Sequence, residues 1–133
     1  MLSEQEVNAL HPLQLAYIGD SVYTMLVRVH LLGGAEKLKI IHAKATSMVC
    51  AASQAKSLTV LIPYLSEEEL DVVRKGRNAH SKHAVPKSAS VQEYMYSTAL
   101  EALFGYLYLL NRGDRIQELF QKILHQDMED THA

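Results

Sequence analysis

The stretch PLQLAYIGDSVYTMLVRVHLL, residues 12–32, predicts a long helix that decides the fold of this chain. Pro12 suits the first turn of that helix, and two consecutive glycines stop it after Leu32. A single carboxylate, Asp20, stands in the middle of the apolar run. Removing a charge from water is costly unless a cation meets it, so Asp20 requires either a structural partner or a chemical role.

The sequence on either side of this helix predicts further helices and shows no convincing strand, repeat or linker. Two capping boxes, in which a serine and a glutamate three residues later satisfy each other's backbone amides, predict helix starts. They are Ser3 with Glu6 and Ser66 with Glu69. Good helix formers fill residues 35–61, which predicts two helices or one helix bent near Cys50 to Ser53.

The second half of the chain continues the helical pattern. The helix that follows the second capping box is expected to end near Lys75, and another is expected over residues 91–110. Gly113 then ends that helix, and Asp114 caps a final amphipathic helix to about His125. The sequence therefore predicts an all-α helical bundle, folded as a single domain over the 133 residues.

The positive charge of the chain is concentrated in one segment. The net charge is −2, with 13 basic and 15 acidic residues in all. The segment from 74 to 87 contains no acid and carries the basic residues Arg74, Lys75, Arg77, Lys82 and Lys87. Residues 76–89 show no helical periodicity, which predicts a long irregular loop. A basic loop on an acidic body is typical of a local anion-binding site.

Composition excludes several classes of protein. The 48% content of hydrophobic residues is that of a globular domain, and the N-terminal residues do not have the pattern of a secretory signal. No apolar run reaches the roughly 18 to 20 residues that span a bilayer. Cys50 is the only cysteine, so an intrachain disulfide is excluded, and we expect this side chain to be buried. These features predict a soluble cytoplasmic protein with no membrane partner.

A second isolated carboxylate, Glu101, stands in the middle of the apolar helix predicted over residues 91–110. It shares a helix face with several hydroxyl groups, and such stripes line wet clefts more often than dry cores.

At about 100° per residue, Asp20 shares its face with Leu13 and Ala16. We therefore expect Asp20 to point inward or into a cleft.

A glycine lies close to each carboxylate, since Gly19 precedes Asp20 and Gly105 follows Glu101 by one turn. Glycine within a helix costs about 1 kcal/mol relative to alanine, and close approach of two helices offsets that cost. Two such helices would bring both acids to one divalent cation. Because both ligands are oxygen atoms, Mg²⁺ is the expected cation. Two structural alternatives remain open: Asp20 caps a helix break, or Glu101 pairs with a buried arginine such as Arg28.

Two stretches resemble the acidic motifs of the ribonuclease III family. LQLAYIGDSV, residues 13–22, is similar to the signature helix, which is approximately E-R-L-E-[FY]-[LI]-G-D-[SA]-V. STALEALFGYLYL, residues 97–109, is similar to A-D-x-[FL]-E-A-L-[IL]-G-x-[LIV]-[YF]-L. Four shorter stretches resemble the Mini-ribonuclease III branch, which lacks the double-stranded-RNA-binding domain. They are SQA (53–55), KGRNA (75–79), PK (86–87) and YMYSTA (94–99).

The resemblance places the signature aspartate at Asp20 and the second-motif glutamate at Glu101. It implies that both acids are catalytic and bind Mg²⁺, with Mn²⁺ as a substitute. Other acidic positions of the larger enzymes hold Leu13, Ala16 and Thr98, which leaves two matched carboxylates. The resemblance also implies a ribonuclease III-like homodimer that cleaves double-stranded RNA and leaves 5′-phosphate ends. The implied substrate is precursor 23S ribosomal RNA, with a large-subunit ribosomal protein as a helper.

Double-stranded RNA offers phosphates and 2′-hydroxyls to a protein, so the basic segment is the predicted RNA contact. The candidates are Arg74, Lys75, Arg77, Asn78, Ser81, Lys82 and Lys87. His80 and His83 form an H-x-x-H pair, but no nearby Cys or acid supports a zinc site. The missing acids favour an alternative, a ribonuclease III-like module that binds RNA or the ribosome without cleavage. A protein-interaction bundle is the third hypothesis.

Overall fold

The computed structural model describes residues 1–34, 36–79 and 89–132, and side chains up to residue 126. Its elements are α1 (Glu4–Asn8), α2 (Pro12–Leu31), α3 (Leu38–Val49), α4 (Ala51–Leu61), a 3-10 turn (Ile62–Tyr64), α5 (Glu67–Asn78), α6 (Val91–Leu109) and α7 (Gly113–His132). The described ranges contain no strand, so the predicted all-α fold is confirmed. None of the described helices is long and apolar enough to cross a membrane.

Serine–glutamate capping boxes start three of these helices, and α2 starts with a box formed by His11 and Gln14. Those of α1 and α5 form as predicted. In α1, Ser3 Oγ accepts from Glu6 N–H at 3.1 Å and the Glu6 carboxylate accepts from Ser3 N–H at 2.9 Å. Ser66 and Glu69 form the same two bonds at the start of α5. A third box, Ser90 with Glu93, starts α6 and was not recognised in the sequence. Each box satisfies two backbone amides that a helix N-terminus otherwise leaves without partners.

The break between α3 and α4 falls at Cys50, which has an extended backbone, so the open alternative resolves to two helices. The prediction that Cys50 is buried was wrong, because this residue is exposed. Its Sγ lies 3.3 Å from both the Ser47 carbonyl oxygen and Ser53 Oγ. The thiol is thus bonded at the corner between the helices and contributes nothing to the core.

Two predicted helix ends were placed too early. Helix α5 continues through Gly76 to Asn78, because Gly76 is buried against α6. A Cβ on Gly76 would lie 3.0 Å from Ala102 Cβ and from Ala99 Cα. The irregular segment therefore begins after Asn78 and not at residue 76. The final helix likewise extends to 132, beyond the predicted end.

The turn between α6 and α7 uses a residue that the sequence analysis did not select. Asn111 has a φ of 59° and Arg112 N–H bonds the Leu107 carbonyl at 2.9 Å, the geometry of a Schellman helix end. Gly113 was predicted to end α6, but it is the first residue of α7. Asp114 therefore lies in the first turn of α7 and is not the cap. Its negative charge there interacts favourably with the positive end of the helix dipole.

Helix α6 lies at the centre of the bundle, against α2, α4, α5 and α7. It is buried on every side between Ser97 and Leu107 except at Glu101, which is half-buried. Aromatic packing ties it to its neighbours, since the Tyr23 ring meets Phe104 edge-on at 5.3 Å and Phe120 at 6.0 Å. A carboxylate on the most buried helix of the fold is the feature that requires explanation.

Candidate active site

Helices α2 and α6 cross with their backbones in contact. A Cβ added to Gly19 would lie 1.6 Å from the Glu101 carbonyl oxygen, and one added to Gly105 would lie 2.0 Å from the Leu15 carbonyl oxygen. No side chain fits at either position. The expected close approach of two helices at these glycines is confirmed, and it places residue 20 of α2 beside residue 101 of α6.

The Asp20 and Glu101 carboxyl groups form a pair of acids. Burial raises the pKa of Glu101, and so do the charge of Asp20 and a hydrogen bond between the two side chains. Together they bring the pKa of Glu101 to about 8, although a hydrogen bond with Gln54 acts in the opposite direction. Among the described residues no Lys or Arg forms an ion pair with either acid. The pair therefore shares one proton at neutral pH and has no cation from the described part of the protein.

The surroundings of Asp20 differ from the prediction. Asp20 was expected to point inward or into a cleft; it is exposed, so the first of these alternatives was wrong, although Ala16 on the same helix face is buried. Helix α2 is continuous, which excludes Asp20 as the cap of a break. Arg28 is exposed and forms no ion pair in the described part of the chain, which excludes it as a buried partner of Glu101. Both structural alternatives are thereby wrong.

The hydroxyl groups beside Glu101 do not form a wet cleft. Ser97 and Thr98 are both buried, at 8% and 6% exposure. Thr98 Oγ1 donates to the Tyr94 carbonyl of its own helix at 3.0 Å, so it is engaged locally. Ser97 Oγ donates instead to the side chain of Gln54 on α4, a buried residue that the sequence analysis missed. An amide on the otherwise apolar face of Leu58 and Leu61 was the signal for it.

The donor set of the pair fits a hard divalent cation. Carboxylate oxygens are the ligands Mg²⁺ prefers, and Mg²⁺ commonly takes one or two carboxylates while waters and substrate phosphates complete its shell. The described residues contain no cluster of three or more Cys, His, Asp or Glu side chains. A cation between Asp20 and Glu101 would also relieve the repulsion that raises the pKa of Glu101.

Of the predicted RNA contacts, those that the structure describes lie at the end of α5. This helix packs on α6 beside Ala99 and Ala102. Arg74 and Lys75 are exposed, and both form ion pairs with Asp71, with Lys75 Nζ at 3.0 Å from Oδ2. Arg77 and Asn78 are exposed in the last turn, and Arg77 has no acidic partner among the described residues. Of the remaining predicted contacts, Ser81, Lys82 and Lys87 lie outside the described residues, as do His80 and His83.

Comparison with known proteins agrees with this geometry. Residues 13–112 match the Ribonuclease III domain family. The chain is similar to a Mini-ribonuclease 3 of Desulfitobacterium hafniense, 48% identical over 91% of this chain and 74% of the relative. It is also similar to one of Brevibacillus brevis, 44% identical over 89% of this chain and 88% of the relative.

A solved structure shows the same fold. It is the crystal structure of a protein from Fusobacterium nucleatum, which is 25% identical and superimposes with a TM-score of 0.81 over 90% of this chain and 95% of the other. The family match covers both crossing helices and both acids. The names of the relatives indicate an endoribonuclease, against the alternative of a module that does not cleave. The chain belongs to the ribonuclease III family, in its Mini-ribonuclease 3 branch, and is an endoribonuclease.

Proposed function

We propose that this chain is a Mg²⁺-dependent endoribonuclease that cleaves double-stranded RNA at a site formed by Asp20 and Glu101, and that all 133 residues form one catalytic domain. One observation carries the proposal: two carboxylates from crossing helices meet with no basic side chain of the described protein between them. Mn²⁺ can substitute for Mg²⁺ because it accepts the same oxygen ligands. The physiological substrate we propose is precursor 23S ribosomal RNA in the cytoplasm, presented with the help of a large-subunit ribosomal protein.

The two acids perform complementary tasks in this mechanism. Glu101 is half-buried and Asp20 is exposed, so the pair opens to solvent on the Asp20 side, where an RNA phosphate can enter. In their ionised forms both carboxylates hold Mg²⁺, which when bound supplies an acidified water and neutralises charge on the phosphate. Thr98 occupies the position of a family acid, but its hydroxyl is engaged by the Tyr94 carbonyl. Asp20 and Glu101 therefore carry the site alone.

An exposed apolar stripe supports the proposed homodimer. Three large apolar side chains of α2 and that of its C-cap residue are exposed in a single chain, and Asp20 lies one turn from the first of them. They are Tyr17 (79%), Met25 (62%), Val29 (58%) and Leu32 (64%). Apolar patches of this kind usually mark an interface. Pairing two copies through α2 would place two active sites in one particle, which cleavage of both RNA strands requires.

Sedimentation tests the dimer. We expect the wild-type protein to sediment as a dimer and a Val29→Glu variant as a folded monomer, because the introduced charge would be buried in the interface. Val91→Glu is the matched control, because Val91 is a similarly exposed valine (62%) on α6 and not on α2. A wild-type monomer at every concentration would contradict the proposed homodimer.

The RNA contact we propose runs along the end of α5 and the basic residues that follow it. Arg77 is exposed without an acidic partner among the described residues, so its charge is available to a phosphate. Arg74 and Lys75 share Asp71, which neutralises part of their charge. Asn78 can donate to a sugar or phosphate oxygen, and we include Ser81, Lys82 and Lys87 in the same contact.

Cleavage of a defined RNA duplex tests the proposed function. Purified protein with Mg²⁺ is expected to cut both strands and leave 5′-phosphate ends, and EDTA is expected to abolish the reaction. Asp20→Asn and Glu101→Gln are expected to bind the duplex without cutting it, because they preserve shape and remove charge. Unchanged cleavage in either variant would contradict the assigned site, and preferential cleavage of single strands would contradict the substrate class.

A further inference from the structure

A buried amide connects α4 to the acid pair. Gln54 is 1% exposed, and it shares its helix face with Leu58 and Leu61, both fully buried. Burying an amide costs free energy unless both its oxygen and its nitrogen find partners. An apolar side chain at this position would fill the space at lower cost, so the amide is retained for what it bonds.

The bonds of Gln54 give the amide a fixed direction. Ser97 Oγ donates to Gln54 Oε1, so the carbonyl end of the amide faces Ser97 on α6. The amide nitrogen is left to donate, and the side chain is hydrogen-bonded to the Glu101 carboxylate one turn further along α6. No buried side-chain N or O atom lacks a partner in the described part of the protein. The chain Ser97, Gln54, Glu101 and Asp20 is therefore continuous.

We infer that Gln54 is a positioning residue of the active site, which holds the Glu101 carboxylate in the orientation that binds a divalent cation together with Asp20. The inference rests on the proposed function, since it assigns Gln54 a role in the same cation site. Gln54 acts through Glu101, because its buried side chain is not accessible to a substrate. Ser97 orients the amide and so supports the same role.

The physical reason is the small number of ligands. With two carboxylates, the site has no third protein ligand to correct a rotated Glu101, so the orientation of each acid matters more. A donor that binds one carboxylate oxygen leaves the other directed at the cation and favours the ionised form. Loss of such an outer partner typically costs 10- to 100-fold in metal affinity or activity, as an order of magnitude.

The test measures Mn²⁺ binding without RNA, by the loss of the free-ion signal in electron paramagnetic resonance, in wild-type protein and Gln54→Met. Methionine has nearly the length and volume of glutamine but cannot make these hydrogen bonds. We expect Gln54→Met to bind Mn²⁺ about 10-fold more weakly. With RNA, we expect kcat to fall by a similar factor, while duplex affinity in EDTA stays unchanged.

Three further variants separate positioning from structure. Ser57→Ala on α4 is the matched control, because Ser57 is also buried and bonded, to the Tyr23 hydroxyl at 3.4 Å, and not to either acid of the pair. It is expected to lower the melting temperature without changing Mn²⁺ affinity. Ser97→Ala leaves Gln54 in place with a free amide orientation, and a smaller loss of Mn²⁺ affinity is expected. Gln54→Glu keeps the bond with Ser97 but replaces the donor with an acceptor, so it is not expected to rescue kcat.

The outcomes distinguish this inference from the proposed function. A folded Gln54→Met protein with wild-type Mn²⁺ affinity and kcat overturns the role of Gln54 and leaves the function intact. If Gln54→Met fails to fold, the Ser97→Ala measurement decides, and wild-type affinity there overturns the inference. Mn²⁺ binding that depends on Gln54 in a protein that never cuts RNA overturns the function alone. A wild-type protein that binds no Mn²⁺ overturns both.

Discussion

Two glutamates that contact the core, Glu69 on α5 and Glu101 on α6, are treated in opposite ways by the fold. Glu69 is 4% exposed and receives two hydrogen bonds from Arg115, at 2.9 and 2.8 Å, so its pKa is lowered. Glu101 is half-buried beside another acid, Asp20, so its pKa is raised to about 8. Burial raises the pKa of both groups: at Glu69 the bonds from Arg115 outweigh it, and at Glu101 the charge of Asp20 adds to it.

The difference separates a structural carboxylate from a functional one. Arg115 also donates to the Tyr64 carbonyl at 2.9 Å, so the Glu69 pair ties α5, the 3-10 turn and α7 together. The Asp20 and Glu101 pair stabilises nothing by itself, because like charges repel and burial penalises ionisation. A fold that retains such a pair needs a cation from outside, which is the property we assign to the active site.

The largest expected effect is on cleavage. Glu101→Gln is expected to lower kcat by about 10³-fold, since electrostatic stabilisation of the transition state is lost. Glu69→Gln is expected to leave the kcat of the folded protein unchanged, because Glu69 bonds Arg115 and not the acid pair. Single-turnover cleavage at a temperature where both variants are folded makes the comparison. Equal losses in the two variants would show that both glutamates are structural.

The next effect concerns the helix crossing that brings the acids together. Gly19→Ala is expected to lower the free energy of unfolding by about 3 kcal/mol or to prevent folding, because its Cβ would overlap the Glu101 carbonyl. Gly33→Ala is the control, since its Cβ would come no closer than 3.8 Å to any atom outside its immediate neighbours. Urea unfolding measures both. A stable Gly19→Ala protein that still cleaves RNA would contradict the crossing.

Removing the ion pair of Glu69 and Arg115 should lower the free energy of unfolding by less than the Gly19 substitution does. Glu69→Gln is expected to lower the free energy of unfolding by about 2 kcal/mol, less than for a fully buried pair because the Arg115 side chain is 26% exposed. Arg115→Met tests the pair from its other side and should cost a similar amount. Urea unfolding at neutral pH is the measurement. No change in either variant would show that this ion pair contributes nothing.

The two acids should also give opposite pH dependences of stability in metal-free protein. The raised pKa of Glu101 means that the folded state holds a proton that the unfolded state releases near pH 4.5, so stability falls between about pH 4.5 and 8, by up to about 1 kcal/mol per pH unit. Glu101→Gln should remove that fall. Glu69, with its lowered pKa, contributes stability that is lost as the pH drops below 4.5. Urea unfolding across this pH range would test both signs, and a wild-type curve that rises from pH 5 to 8 would contradict the first.

The smallest effect is expected at the RNA contact. Arg77→Ala should weaken duplex binding a fewfold and reduce the slope of log affinity against log salt by about one unit, because one phosphate contact is lost. Arg74→Ala should change the slope less, since Arg74 is paired with Asp71. Filter binding at several salt concentrations in EDTA measures both slopes. Identical behaviour of the two variants would remove the distinction between paired and unpaired arginines.

Part of the fold and of the candidate site could be predicted from the sequence. Isolated acids at Asp20 and Glu101 in apolar helices, each with a glycine one turn away or less, predicted a close helix crossing, and the crossing is confirmed. The exposure of Asp20 could not be predicted, because helical periodicity shows which residues share a helix face but not how deeply that face is buried. Gln54 was missed for a similar reason, since its partner Ser97 lies 43 residues away along the chain.

Two helix boundaries were wrong for different physical reasons. Glycine predicts a helix end when the helix is considered alone, but at Gly76 the missing side chain allows α5 to approach α6 and the helix continues. At the end of α6 the left-handed residue is Asn111, which tolerates that backbone almost as glycine does. At Gly76 packing against α6 overrides the local signal, whereas at the end of α6 the left-handed position falls two residues before Gly113.

The most direct test of the central claim is anomalous diffraction from crystals soaked in Mn²⁺, at a pH above 8 so that Glu101 is ionised. We predict one anomalous peak between α2 and α6, with oxygen atoms of Asp20 and Glu101 as its protein ligands. Glu101→Gln crystals soaked in the same way should lack it, and no peak is expected beside Glu69. An empty space between Asp20 and Glu101 in crystals of an active enzyme, or a peak held by other residues, would contradict the claim that this acid pair is the cation site.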